Sequence, residues 1–153
     1  MNSGSKTKII CIGAGASGLF FALNAADGNS DVILLDSNNK AGRKMYISGK
    51  VRCNTTNNCD VKEFISNVVR NPKFLYSAIN RFSPADTISF FNEHGCPLKT
   101  ERGNRVFPVS DKSSDIIDCL VRECRRNKVD IRFNQKVTEI RKKENGFVAV
   151  CRE

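Results

Sequence analysis

The stretch Lys8-Ile9-Ile10-Cys11-Ile12-Gly13-Ala14-Gly15-Ala16-Ser17-Gly18 sets the reading of the whole chain. Its opening is a short apolar run stopped by glycine, the pattern of a strand buried on both faces of a parallel sheet. From Ser17 onward, Leu19, Phe20, Ala22, Leu23 and Ala26 recur at helical spacing up to about Asp27, and Gly28 supplies the stop. Asp31-Val32-Ile33-Leu34-Leu35-Asp36 then repeats the buried-strand pattern. Strand, helix and strand within about 30 residues make a βαβ unit with a right-handed crossover.

Gly13-Ala14-Gly15-Ala16-Ser17-Gly18 is a G-x-G-x-x-G sequence. Alone it says little, because a glycine-rich turn that binds nothing has the same look. Here it follows a strand, opens a helix and is answered by Asp36, 18 residues beyond Gly18 at the end of the second strand. Gly13 permits the tight turn, Gly15 lets a pyrophosphate approach the backbone, and Gly18 with Ala22 brings the helix close to the sheet. Open N–H groups at the helix start hold the anion. A carboxylate at Asp36 accepts both hydroxyls of an adenosine ribose and repels a 2′-phosphate. NADP is therefore disfavoured, and FAD and NAD both stay open.

Working outward, the 153 residues suit one domain, and 40% apolar with 27% charged residues exclude disordered and low-complexity classes. The net charge of +9 favours anionic partners without choosing among them. Seven cysteines (Cys11, Cys53, Cys59, Cys96, Cys119, Cys124 and Cys151), with no C-x-x-C, point to reduced thiols and a cytoplasmic setting. No metal site is expected without a C-x-x-C or a histidine cluster, no run approaches the ~18 apolar residues of a membrane span, and the run Ile9 to Leu23, broken by three glycines, is not a signal-peptide core.

Ser37 to Asn58 is a long polar loop, and loops of that length usually have a function. Helices are predicted over 60–70, 73–82 and 84–94, the last capped by Ser83 with Pro84 in first position and closed by Gly95. Another starts at Ser113 or Ser114 and runs to about Asn127. The tail reads as three strands, 129–133, 137–141 and 147–151, with Asn145-Gly146 turning between the last two.

The loop Ala41-Gly42-Arg43-Lys44-Met45-Tyr46-Ile47-Ser48-Gly49-Lys50-Val51-Arg52-Cys53-Asn54-Thr55-Thr56-Asn57 resembles the G-R-K and S-G-x-G-R-C-N-x-T-N signature of the aminoacetone oxidase-like flavoproteins, bacterial FAD-dependent oxidoreductases with a glutathione-reductase-type FAD fold. Phe74-Leu75-Tyr76-Ser77-Ala78 and Arg105-Val106-Phe107-Pro108-Val109-Ser110-Asp111-Lys112 extend the match, so the resemblance runs from about Lys8 to the end. It implies a Rossmann-like FAD/NAD(P)-binding α/β domain over 1–153, mainly a parallel sheet with a small antiparallel β-meander. By the same resemblance Gly13, Ala14, Gly15, Ala16, Ser17 and Gly18 face the pyrophosphate, and Asp36 the adenosine ribose. Arg43 and Lys44 serve the ribose and phosphate region, Val137 meets adenine through its backbone, and Ser48, Gly49, Arg52 and Asn54 pass the flavin side. Val51 stands where the family usually has glycine. Family members continue through a further cofactor-contacting strand, a substrate domain and a C-terminal return to the flavin. The chain is therefore expected to be an incomplete FAD domain, inactive alone.

The expected function is the FAD-binding portion of an oxidoreductase, with hydride transfer at flavin N5 and NAD(P)H as a candidate reductant. Substrate and catalytic residues are not assigned. An NAD-binding dehydrogenase module and a non-catalytic module that has lost the cofactor are the rivals. Beyond FAD, the expected partner is a chain carrying the missing half or a second copy of this one, with no nucleic acid and no membrane. His94 is expected to cap a helix, Cys53 to pack, and the basic end at Arg122, Arg125 and Arg126 lacks an aromatic platform.

Overall fold

The structure is a computed structural model that describes residues 6–47 and 52–152. The chain divides into two compact units, Met1–Met45 with Leu120–Glu153, and Tyr46–Cys119.

The first unit is built on β1 (Thr7–Ile12), α1 (Ala16–Ala25) and β2 (Ser30–Leu35). β1 and β2 pair in parallel from Thr7↔Ser30 to Ile12↔Leu35, so the predicted βαβ unit is present. Leu19 and Ala22 of α1 are fully buried, as is Leu34. The expectation that β1 is buried on both faces is not met. Among the described residues it is the edge of its sheet, paired with β2 alone, and its alternate residues Ile10 and Ile12 are 42% and 49% exposed.

The tail divides its strands between two sheets. β6 (Asp130–Arg132) joins the parallel sheet beside β2, from Ile33↔Asp130 to Leu35↔Arg132. β7 (Lys136–Lys143) and β8 (Gly146–Arg152) form a separate antiparallel hairpin. Lys143 pairs with Gly146, so the turn residues are Glu144 and Asn145, one position earlier than predicted.

The second unit carries three short helices, α3 (Val61–Ser66), α4 (Pro72–Arg81) and α5 (Pro84–Glu93), with an antiparallel sheet of order β3-β5-β4. Its strands are β3 (Thr56–Asn57), β4 (Leu98–Glu101) and β5 (Arg105–Pro108). Asp60 caps α3 by accepting from Glu63 N at 2.7 Å. Ser83 and Asp86 form a reciprocal capping box on α5, which satisfies two orphan N–H groups at once. Two further helices, α2 (Arg43–Ile47) and α6 (Ser113–Arg126), contain the unit boundaries. Among the described residues no helix is long and apolar enough to cross a membrane, and no cysteine is in a disulfide.

Candidate functional site

The glycine turn has the geometry its spacing requires. Gly13 lies at φ +104°, a region closed to most side chains, and its N–H donates to Leu35 O at 2.7 Å, fastening the turn to the end of β2. Gly15 is the N-cap of α1 at φ −81°, and a Cβ placed on it would meet nothing within 4 Å. A Cβ on Gly18 would lie 1.8 Å from Gly13 O, so glycine is obligatory there for the helix to sit this close to the turn. Open space in front of Gly15 and the unpaired N–H groups of the first turn of α1 make an anion cradle of the kind a pyrophosphate occupies. The residues present fit the group.

Asp36 sits at the mouth of that cradle. Its Oδ2 accepts from Ala14 N at 2.6 Å, while its Oδ1 accepts from Asn38 N at 2.7 Å and Asn38 Nδ2 at 2.8 Å. A carboxylate has about four acceptor positions. Three are taken, leaving room for one ribose hydroxyl rather than the two anticipated from sequence. Asn38, which sequence reading passed over, then orients Arg43 by accepting from its guanidinium at 3.0 Å. Its one sequence signal is an amide two residues after a strand-ending aspartate, the spacing of a local side-chain turn.

The backbone closes the same region. Gly42 N donates to Ala14 O at 2.8 Å, and Gln135 N donates to Asp36 O at 2.8 Å. Val137 lies two residues beyond Gln135 on β7 and pairs with Cys151. The structure thus brings Gly13 to Gly18, Asp36 and Arg43 into one bonded cluster. Lys44 follows on α2, and the strand of Val137 is tethered beside them.

The flavin-side residues are placed differently. Ser48, Gly49 and Val51 lie outside the described residues. In the second unit, Arg52 donates to Asp111 Oδ1 from Nε at 2.9 Å and from a terminal nitrogen at 2.6 Å, and it also donates to Glu101. Its guanidinium stands 4.3 Å from the centre of the Phe107 ring. Lys99 completes the cluster with Asp111 at 2.7 Å. Hydrogen bonds from Arg52 hold the Glu101 carboxyl below the usual carboxylate range, and those from Lys99 and then Arg52 do so for Asp111. In the orientation that satisfies both contacts, the Asn54 amide donates to Thr56 O at 2.9 Å and Val106 O at 3.2 Å. Arg52 and Asn54 therefore organise their own loop.

The side chains set aside in the sequence reading are structural. Burial pushes the Cys53 thiol up, the opposite of nucleophile activation, at a residue held at φ +58°. His94 caps α5, with Nδ1 2.7 Å from Phe90 O. Cys124 donates to Leu19 O at 3.3 Å, and burial pushes its pKa up to about 11. Arg122 and Arg126 share the buried carboxylate of Glu123 at 3.2 and 3.0 Å.

A parallel sheet, a glycine turn opening a helix and an acidic residue closing the second strand define a Rossmann-like, FAD-binding α/β fold. Residues 7–153 match the HI0933-like protein Rossmann domain, and the chain belongs to that family. It is 37% identical over 139 residues to the ribosomal RNA dihydrouridine synthase of Escherichia coli (strain K12), covering 90% of this chain and 34% of that protein. It is 32% identical to the 3-dehydro-bile acid delta(4,6)-reductase of Clostridium scindens over 92% of this chain and 34% of the relative. The chain thus spans about a third of the length of these relatives. The same fold occurs in a flavocytochrome c3 fumarate reductase (TM-score 0.66, 20% identity, covering 97% of this chain and 32% of that one) and in CtdE in complex with FAD (TM-score 0.52, 18% identity, 96% and 35%).

Proposed function

We propose that this chain is the FAD-binding portion of a reductase acting on a carbon–carbon double bond conjugated to a carbonyl, with the base of an RNA nucleotide as the substrate group. The observation that carries the cofactor half is the open cradle at Gly15, bonded to Asp36 through Ala14. The reaction half is supported by the names of the two relatives. Making dihydrouridine saturates the ring double bond of uracil beside a carbonyl, and a Δ4,6-reductase of a 3-oxo steroid acts on a double bond in conjugation with its ketone. Of the two carriers, RNA suits a chain of net charge +9. The expectation of no nucleic-acid partner rested on the end of α6, which lacks an aromatic platform and where Glu123 pairs with two of the arginines, Arg122 and Arg126.

When bound, FAD supplies hydride transfer at N5. The N–H groups at the start of α1 hold the pyrophosphate, Asp36 accepts a ribose hydroxyl, and Arg43, fixed by Asn38, adds positive charge beside the phosphates. Lys44 and the backbone of Val137 complete the adenosine side. Ser48, Gly49, Arg52 and Asn54 belong to the flavin-side loop. The finer placement among aminoacetone oxidase-like flavoproteins, treatment of 1–153 as one FAD domain, NAD(P)H as reductant, and a reducing cytoplasmic setting are parts of the same proposal.

The test is a chimera in which this chain replaces the corresponding third of the E. coli relative, expressed in cells lacking that relative. A flavin spectrum and the gain of two hydrogens on a ribosomal RNA uridine, read by mass spectrometry, are expected. A folded, flavin-loaded chimera without that mass gain would overturn the substrate; a folded one that does not take up flavin would overturn the cofactor reading.

A further inference from the structure

α4 is amphipathic, and its partition between protein and solvent is unusual. Its half-buried positions are Pro72, Leu75 and Ile79, the i, i+3 and i+7 set of an inward stripe. Lys73, Phe74, Tyr76, Ser77, Ala78, Asn80 and Arg81 face out, with Phe74 84% and Tyr76 62% exposed. At 100° per residue, Lys73, Ser77 and Arg81 run down the middle of the outer face, with Phe74 on one flank and Tyr76 on the other. Arg70 lies just before the helix. Among the described residues, Arg70, Lys73 and Arg81 form no ion pair, in contrast to Arg122 and Arg126 on α6. Of the acidic side chains of the neighbouring α3 segment, Asp60 is used as the cap of that helix and Glu63 lies in its first turn.

We propose that the outer face of α4 is a docking surface for single-stranded RNA, with Phe74 and Tyr76 stacking on bases and Arg70, Lys73 and Arg81 on the phosphates. The proposal rests on the RNA reading above and deepens it by naming the surface. Two features choose this occupant over an apolar protein segment. A partner helix or groove is held by apolar anchors at i, i+3, i+4 and i+7, and of that set Pro72, Leu75 and Ile79 are turned inward here while Tyr76, at i+4, faces out. The outer stripe is cationic and polar with rings beside it, the combination that tracks a phosphate backbone while offering π faces to successive bases. A duplex hides its bases from such rings, so single strands are the substrate form that fits.

The experiment measures fluorescence anisotropy of a fluorescein-labelled oligouridine RNA with the 153-residue chain, across a salt series and against a hairpin duplex and heparin. Phe74→Ala and Tyr76→Ala are each expected to weaken oligouridine binding roughly tenfold while leaving heparin binding unchanged. Lys73→Gln is expected to lower the slope of log affinity against log salt by about 0.7, one phosphate contact on a single strand. Because the rings are exposed, circular dichroism should be unchanged in all three. Oligouridine binding that ignores the ring substitutions, equal preference for the duplex, or no binding would each overturn the proposal. FAD titration of the same samples keeps the two readings apart: failure there strikes the cofactor site and leaves the α4 result standing on its own.

Discussion

Gly15 and Gly18 are three residues apart in one motif, and the structure gives them opposite jobs. Gly15 has an ordinary negative φ and empty space ahead of it, so a side chain there costs the fold little and fills the cradle. Gly15→Val should abolish FAD and ADP binding in isothermal titration while the urea midpoint stays near that of the parent. Gly18→Ala presses a methyl against the Gly13 carbonyl and should lose stability toward the upper end of the ~1–3 kcal/mol typical of overpacking. Equal effects of the two on stability would refute this division. Asp36 couples the two properties. Asp36→Asn turns an NH₂ group toward donors that now meet an oxygen, and hydrogen bonds to a charged group are worth about 1.5–3 kcal/mol each. The variant should therefore lose about 2 kcal/mol in denaturant titration and bind NAD more weakly, with NADP affected less because a repulsive charge has gone. An equal fall for both ligands would place the ribose elsewhere.

At the level of elements, what could be read in the sequence was whatever short-range pattern dictates. β1, α1 and β2 announce themselves by apolar period and glycine, and α5 by Ser83-Pro84, since a cap is settled within four residues. β3 and β4 are two and four residues long and owe their existence to β5, a partnership that no local window contains. The helix Arg43–Ile47 lies in a loop whose polar composition hid it. At the site, spacing marked the glycines and Asp36 but not Asn38, because a bridging role depends on where three side chains converge. The sheet of the second unit shows the same limit. Arg52, expected on the flavin side, ties the segment before β3 to Glu101 on β4 and to Asp111 beyond β5. Both carboxyls titrate below their ordinary range, so this tie contributes at neutral pH and is lost as pH falls below about 4 through their folded values. Thermal melts should show Arg52→Gln less stable than the parent at pH 7, with the gap closing toward pH 3. A gap that persists in acid would mean that the contact with Phe107, and not the charge, is what Arg52 contributes.

For the whole molecule, two long-range terms oppose each other. A net charge of +9 keeps copies apart, while among the described residues β1 offers an unpaired backbone edge beside a groove of about 510 Å³ lined by Lys8, Ile10, Ile12, Ile140, Gly146, Phe147 and Ala149. Open sheet edges with apolar residues recruit further strands, and in a solution of this chain alone those strands come from a second copy, its own β1 edge among them. Charge repulsion is screened over about 10 Å at 0.1 M salt and about 3 Å at 1 M, whereas backbone pairing and apolar contact are not weakened by salt in that way. The sedimentation coefficient should therefore rise with salt, from monomer at low ionic strength toward dimer or larger species, as RNA binding falls over the same range. Ile12→Lys places a charge on the exposed side of the edge, where Ile12 is already half out of the protein, so it should hold the chain monomeric at high salt without lowering its melting temperature. Association that is strongest at low salt, or that survives Ile12→Lys, would show that some other surface joins the copies and that the edge of β1 is protected in solution.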